Sequence, residues 1–316
     1  MNSKNFAEWF RRQGYKVIQS ESSCWYEVVP KTFQAFPYHQ VIRPDEDELD
    51  ELLKLHKGYS LRFSTPLNYP VGVISYHVIQ HHGNYELSKL SKNARYDVRK
   101  GLDFAEVEQI SLERLADEGW ALQSDTLRRQ GREDAQDRSR WEALCKSAIG
   151  LDGFEAWAAI HETQLVASAF CFIMDGTCSI LYQQSRTEHL SNNTNNVLAY
   201  EITHEMMNRP NIDQVFYGLH SLDASSSVDA FKFRMGYESR PVRQRIFIRP
   251  PLSTLCNPAT HASLKAAQKL FPNLSYLNKA EGMIRFYLQG KLPLAKQNWP
   301  EGVIDQKENI LAGLGQ

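Results

Sequence analysis

The dipeptide Asp175-Gly176 separates two β-rich runs, residues 165–174 and 177–184. A type I′ turn needs positive φ at both central residues, which Asp and Gly tolerate and most side chains do not, so the spacing predicts a two-residue hairpin. Its register pairs Cys171 with Ile180 and Ile173 with Cys178. The two cysteines therefore are not expected to face one another, and no disulfide is implied. A strand over 154–160 precedes the hairpin. The Ser/Asn-rich segment 191–196 follows it and feeds a helix that runs to Asn208 and is closed by Pro210. A strand over 214–218, a helix over 228–235 and a strand over 243–248 complete the pattern. Strands that alternate with helices in this way predict a mixed α/β architecture.

Upstream, residues 5–13 bring Phe6, Trp9 and Phe10 together on a short helix that Gly14 stops, and 15–18 reads as a strand. After Pro44 an acidic helical segment, 45–54, sets Leu49, Leu52 and Leu53 on one face. Strand-like runs follow at 59–63 and 71–79. A helix expected over 88–101 carries Lys92, Arg95 and Arg99 at spacings of three and four residues, which places the cations on one ridge. Helices at 111–131 and 139–149 flank the charged segment GREDAQDRS. Past Pro250-Pro251 the tail shows two more helical stretches, 261–270 and 279–289. The 316 residues are about twice a common single-domain length, so more than one domain is expected, with a boundary near residue 103.

Lys and Arg number 36 against 37 Asp and Glu, so the formal charge of -1 offers no global attraction to nucleic acid, and no DNA partner is expected. The five cysteines are scattered and form no CxxC pair, which predicts a reduced, cytoplasmic protein without a zinc site. No apolar run suits a signal peptide or a membrane span. His81 and His82 are adjacent, so on a strand they would point to opposite faces, and no metal is expected. Neither a GxSxG elbow nor a Walker loop is present.

The order hairpin, helix, strand, helix, strand over 154–248 resembles the GNAT acyltransferase core. Two segments, SKNARYDVRKG (91–101) and DAFKFRMGYES (229–239), are similar to stretches of the Fem-type aminoacyltransferases and their GNAT relatives. The resemblance covers most of 59–250. It implies an α/β fold with tandem GNAT-like domains: an N-terminal lobe over 1–103, an acyltransferase domain over 104–250 and a helical C-terminal extension over 251–316. GNAT enzymes that use acetyl-CoA carry a glycine-containing loop whose backbone N–H groups hold the pyrophosphate. The equivalent stretch here, SRTEHLSNNTNN, has no glycine. Asn192, Asn193, Asn195 and Asn196, with the helix N-terminus behind them, are the candidate coenzyme contacts.

Four residues before Gly236, where many GNAT enzymes place a tyrosine, stands Lys232. The Phe231-Lys232 pair matches a Phe-Lys pair of the Fem-type proteins. The resemblance implies that Lys232 stabilises the oxyanion formed when an amine attacks an ester or thioester, with Phe231 shaping the site. His220 follows the strand over 214–218 and has a side chain suited to proton removal near neutral pH, so it is the candidate base; Asp223 and Glu201 are lesser ones. Tyr182 could face the cleft. Lys92, Arg95 and Arg99 could hold phosphates. A second basic cluster comprises Arg234, Arg240, Arg243, Arg245 and Arg249, and strand alternation points Arg243, Arg245 and Arg249 to one side.

The expectation is an N-acyltransferase with no tightly bound cofactor, with acyl-CoA as co-substrate and an amine-bearing small molecule or cell-wall precursor as acceptor. A Fem-like use of aminoacyl-tRNA is the alternative donor, and a catalytically silent binding module is the other alternative.

Overall fold

The structure, a computed structural model, describes residues 3–81, 83–132, 135–220, 227–271 and 274–315. In chain order the elements are α1 (Ser3–Arg12), β1 (Val17–Gln19), β2 (Cys24–Val29), β3 (Thr32–Phe36), α2 (Glu46–Leu55), β4 (Ser60–Thr65), β5 (Val73–Gln80), α3 (Lys92–Phe104) and β6 (Glu106–Ile110). The chain continues with α4 (Leu112–Glu118), α5 (Trp120–Arg129), α6 (Arg138–Lys146), β7 (Phe154–His161), β8 (Gln164–Met174), β9 (Thr177–Ser185), α7 (Thr194–Asn208), β10 (Gln214–Leu219), α8 (Ser227–Arg234) and β11 (Glu238–Ile248). Helices α9 (Pro250–Ser253), α10 (Pro258–Leu270), α11 (Ser275–Gly290), α12 (Glu301–Ile304) and α13 (Lys307–Gly313) make the C-terminal extension.

Two compact units divide the chain. Unit 1 comprises Met1–Gly14, Val78–Gly218 and Ser227–Glu238; unit 2 comprises Tyr15–His77, Leu219–Ser226 and Ser239–Gln316. These limits differ from the lobes expected over 1–103, 104–250 and 251–316. Helix α1 belongs to unit 1 because Phe6, Trp9 and Phe10 are buried there among the aromatics of β7 and β8. Phe6 lies 4.6 Å from Phe172 and Trp9 lies 5.3 Å from Phe154, centroid to centroid, while the Trp9 indole donates to the Leu144 carbonyl at 2.8 Å.

The strands of unit 1 run in the order β10-β9-β8-β7-β6, with β10 parallel to β9 and the rest antiparallel. The Asp175-Gly176 turn has φ of 46° and 72°, as a type I′ turn demands. The register pairs Cys171 with Ile180 and Ile173 with Cys178. The two cysteines are nevertheless diagonal neighbours on one face, close enough for a thiol–thiol hydrogen bond that pushes the Cys171 thiol up, and both remain free. They are not directly opposite in the register and form no disulfide, as the turn spacing predicts. The strand β6, EVEQI, has no fully buried residue and gave no hydrophobic signal in the sequence.

The helix expected over 88–101 starts later, because Ser91 caps α3 by accepting from the Ala94 N–H. Helix α3 packs closely on α7: a Cβ at Gly101 would sit 2.7 Å from the Cβ of Val197 and 2.9 Å from the Asn193 carbonyl oxygen. The helix expected over 111–131 is broken at Gly119, where a Cβ would meet the Leu115 carbonyl oxygen at 2.4 Å and the Trp141 ring at 2.8 Å.

In unit 2, β1-β2-β3-β4 lie in sequence order and β11 pairs antiparallel with β4. Trp25, Phe33, Leu49, Leu53, Leu61 and Phe63 form its core, so the apolar side of α2 faces inward as its leucine spacing predicts. The buried His77 is 2.9 Å from the Ser64 hydroxyl. No helix among the described residues is long and apolar enough to cross a membrane.

Two measurements check this architecture. Gly176→Ala puts a side chain at φ of 72° with its Cβ 2.2 Å from an Asp213 carboxylate oxygen, and is expected to lower stability to urea by about 1–2 kcal/mol or more. His77 is pushed down to about 3, chiefly by burial, with the charges of His39 and Arg240 adding to the effect. The native state therefore binds fewer protons than the unfolded chain below the ordinary histidine pKa near 6.5, and the stability held above that pH is lost as pH falls. His77→Gln should flatten the stability profile between about pH 6.5 and 4 by up to ~1.4 kcal/mol per pH unit; an unchanged slope in urea titrations would refute the assignment.

Candidate functional site

Helix α8 ends in a turn that fixes Lys232. Gly236 adopts φ of 81°, the Gly236 N–H donates to the Phe233 carbonyl at 3.0 Å, and the Tyr237 N–H reaches back to the Lys232 carbonyl at 3.2 Å. This is the Schellman arrangement, with Gly236 at the left-handed position, so the four-residue spacing from Lys232 to Gly236 is a geometric requirement of the helix end. The lysine is not the exposed residue that a short helix ordinarily carries. Its side chain is 13% exposed, and its ammonium donates to Asp229 Oδ1 at 2.7 Å. Asp229 is itself 8% exposed, and the Lys232 Nζ lies 5.2 Å from the centroid of the Tyr217 ring. An ammonium with three N–H groups, one of them engaged by Asp229, retains donors for an oxyanion.

Tyr217, on β10, continues the contacts outward. Its hydroxyl donates to Gln183 Oε1, burial pushes its phenol pKa up, and its ring stands edge-on to Tyr237 at 5.0 Å and to Phe231 at 6.4 Å. The Gln183 amide in turn donates to Asn195 Oδ1 at 3.2 Å, and Asn195 donates to the Ser185 hydroxyl at 3.0 Å. A line of contacts thus joins the ammonium, the phenol of β10, the amide of β9 and the start of α7.

The four asparagines meet different fates. Asn195 is spent on that line of contacts. Asn196 is buried and donates to the Met235 sulfur at 3.5 Å. Asn193 sits in the left-handed region at φ of 57° and donates to Asp97 Oδ1 at 3.4 Å. Asn192 ends the short 3₁₀ turn Thr187–Asn192 and is half-buried. The N-terminus of α7 therefore faces a carboxylate and the close-packed Gly101 of α3.

On α3, Lys92 and Arg99 are exposed, whereas Arg95 folds back to donate to the Ser88 carbonyl at 2.9 Å. Tyr96, 66% exposed, stands among them with the exposed Lys100. His220 belongs to unit 2. Its ring stacks on Tyr76 at 4.5 Å, its Nδ1 is 3.4 Å from the Ser75 hydroxyl, and its carbonyl accepts from the Gln244 amide at 3.1 Å. Glu201, on α7, has its carboxyl pushed up by burial. Tyr182 is half-buried on β9, 6.4 Å from Phe170. Asp223 and His82 lie outside the described residues. Among the described residues no group of three His, Cys, Asp or Glu side chains is placed to hold a metal ion.

Asp229, Tyr217 and Gln183 are the members of this site that sequence reasoning did not single out. Asp229 carried a signal, since Asp at i and Lys at i+3 share a helix face. Tyr217 and Gln183 carried none, because Tyr217 meets the lysine from another strand and Gln183 meets Tyr217 from a third element.

No protein-family profile matches the sequence, and no curated protein matches it. Solved structures do. FemX superposes with a TM-score of 0.55 at 12% identity, over 79% of this chain and 92% of FemX. The C-terminal domain of a protein named as a lysylphosphatidylglycerol synthetase, from Agrobacterium fabrum, gives 0.52 at 12% identity over 77% of this chain and 87% of its own. The fold is Fem-like. A conserved protein of unknown function from Bacteroides thetaiotaomicron shares it, with a TM-score of 0.53 at 9% identity, over 78% of this chain and 91% of that one. The α/β class expected from the sequence stands, in a chain that divides into two compact units.

Gly236→Ala tests the helix end that places the lysine. The left-handed φ should cost about 1–2 kcal/mol in urea unfolding, and an undiminished midpoint would remove the geometric reason for the Lys232–Gly236 spacing.

Proposed function

We propose that the protein is an N-acyltransferase that moves an aminoacyl group from the 3′ ester of an RNA to an amine, with Lys232 as the oxyanion donor. The observation that carries this reading is the ammonium held out of solvent by Asp229 and the Tyr217 ring, a charge already oriented before substrate arrives. The amine nitrogen bonds to the ester carbonyl carbon, and the carbonyl oxygen becomes an oxyanion that accepts from Lys232 Nζ. Collapse of this intermediate breaks the C–O bond. The ribose oxygen leaves with the proton that the amine surrenders, carried by water, so the products are an amide and a free hydroxyl. Phe231 borders the site through its edge contact with Tyr217.

The start of α7 bears on the donor. A pyrophosphate there would meet the Asp97 carboxylate and the backbone of α3 at Gly101, an arrangement that disfavours coenzyme A. An exposed tyrosine among Lys92, Arg99 and Lys100 suits RNA instead, with cations for phosphates and a ring on which a base can stack. The acyl-CoA reading keeps one supporting observation. Asn193 makes no side-chain cap bond to α7, which leaves first-turn N–H groups without that partner.

The experiment offers the purified protein mixed aminoacyl-tRNA and, separately, acetyl- and longer acyl-CoAs, with a panel of amines. Amide formation from aminoacyl-tRNA is expected, and Lys232→Ala should lower its rate by on the order of 10²–10³ with the circular dichroism unchanged. Acyl-CoAs should leave the thermal midpoint where it is, since a ligand that binds only the folded state would raise it. Transfer unimpaired in Lys232→Ala would overturn the oxyanion assignment, and amide formation from acyl-CoA alone would overturn the donor.

A further inference from the structure

Unit 2 buries a guanidinium that makes no ion pair with the described residues. Arg243, on β11, is 2% exposed, and its one hydrogen bond among the described residues runs from Nη1 to the Tyr69 carbonyl. Its Nε is buried and has no partner. Desolvation drives its pKa down, with no carboxylate opposing. An arginine does not deprotonate in a protein, so the charge stays, and a buried charge is costly unless something compensates it.

Two further side chains on its face of the sheet have unpartnered groups that can donate. Thr65 pairs directly with Arg243 across β4 and β11, which puts both side chains on one face of the sheet. The Thr65 hydroxyl is fully buried and unpartnered. Arg245, two residues along and hence on the same face, is 5% exposed and leaves its own Nε unpartnered. Arg245 is otherwise satisfied: it donates to the Tyr69 hydroxyl at 2.7 Å, pairs with Glu46 at 2.5 Å, and lies 5.1–5.8 Å from the ring centroids of Phe63, Tyr69 and Phe247. Glu46 thus accounts for the charge of Arg245 and leaves one net positive charge, on Arg243. The Glu46 side chain is 60% exposed, so the cluster meets solvent at that edge.

The scaffold holds Arg243 from behind. A Cβ at Gly72 would lie 3.0 Å from the Arg243 Cβ. The Gly72 N–H donates to the Gly290 carbonyl at 2.9 Å, and the Gln297 amide donates to the Gly72 carbonyl at 3.1 Å. The C-terminal extension therefore buttresses the turn that covers this arginine.

We propose that Arg243, Arg245 and Thr65 form a receptor for one oxyanion group, a carboxylate or a phosphate, carried by a ligand of this protein. With Nη1 committed to Tyr69, the Nε–Nη2 edge of Arg243 is the fork that takes two oxygens of such a group. The Thr65 hydroxyl and the Arg245 Nε add donors from the same face. The proposal is independent of the transfer reading, since its test contains no transfer step.

The test titrates inorganic phosphate and malonate into the full-length protein by calorimetry and thermal unfolding, with ionic strength held constant by sodium chloride. A saturable rise in midpoint with at least one of the two is expected. Phosphate alone would identify a phosphate-bearing ligand, and malonate alone a carboxylate-bearing one. Arg243→Met should unfold without ligand at the same or a higher temperature, because replacing an unpaired buried charge with an apolar side chain removes its desolvation cost, and it should lose the anion response. Arg243→Lys, which keeps the charge and loses the fork, should weaken binding at least tenfold. Should Arg243→Met not fold, Thr65→Val carries the test, with binding weakened several-fold. Absence of a saturable response to both anions, or an undiminished response in the folded variant, would overturn the proposal.

Discussion

A buried ammonium has to be held by something, and unit 1 is arranged so that Lys232 is. The pairing with Asp229 one helical turn earlier and the face of Tyr217 replace the water that the lysine loses. The left-handed glycine that closes α8 fixes where along the helix the lysine falls, because the Schellman bond ends on the lysine's own carbonyl. Orientation of this kind is what makes a cation useful to a developing oxyanion, since no reorganisation is needed at the moment of attack.

The same lysine is joined, contact by contact, to the start of α7. Tyr217, Gln183 and Asn195 pass from β10 through β9 to the helix, each satisfying the next. Polar groups so enclosed are costly when unpaired, and Asn195 is paired on both sides, by the Gln183 amide and the Ser185 hydroxyl. At the helix end, α3 approaches closely at Gly101 and the Asp97 carboxylate accepts from Asn193.

Unit 2 shows the opposite balance. Its core is an ordinary apolar one around Trp25, Phe33 and the leucines of α2, yet β11 turns two arginines inward. Glu46 answers one of them, and among the described residues the second has a single carbonyl partner. The C-terminal helices take part in this burial by bracing the turn at Gly72, so the extension serves the sheet as well as its own packing.

What the sequence determined by itself was whatever depends on neighbours a few residues apart. The Asp175-Gly176 turn and its register, the leucine face of α2 and the Lys232–Gly236 spacing all follow from backbone preferences that act locally. The polar strand β6 and the break at Gly119 were not legible, because the first is held by pairing with β7 and the second by contact with Trp141. Tertiary structure alone decided which charges lost their water. Alternation placed Arg243 and Arg245 on one side of a strand, but only packing showed that side to be the inside. The low exposure of Lys232, beside Asp229 and the Tyr217 ring, is likewise a property of the assembled structure. Solvation belongs to the assembled environment of a group, and a sequence records the group without the environment.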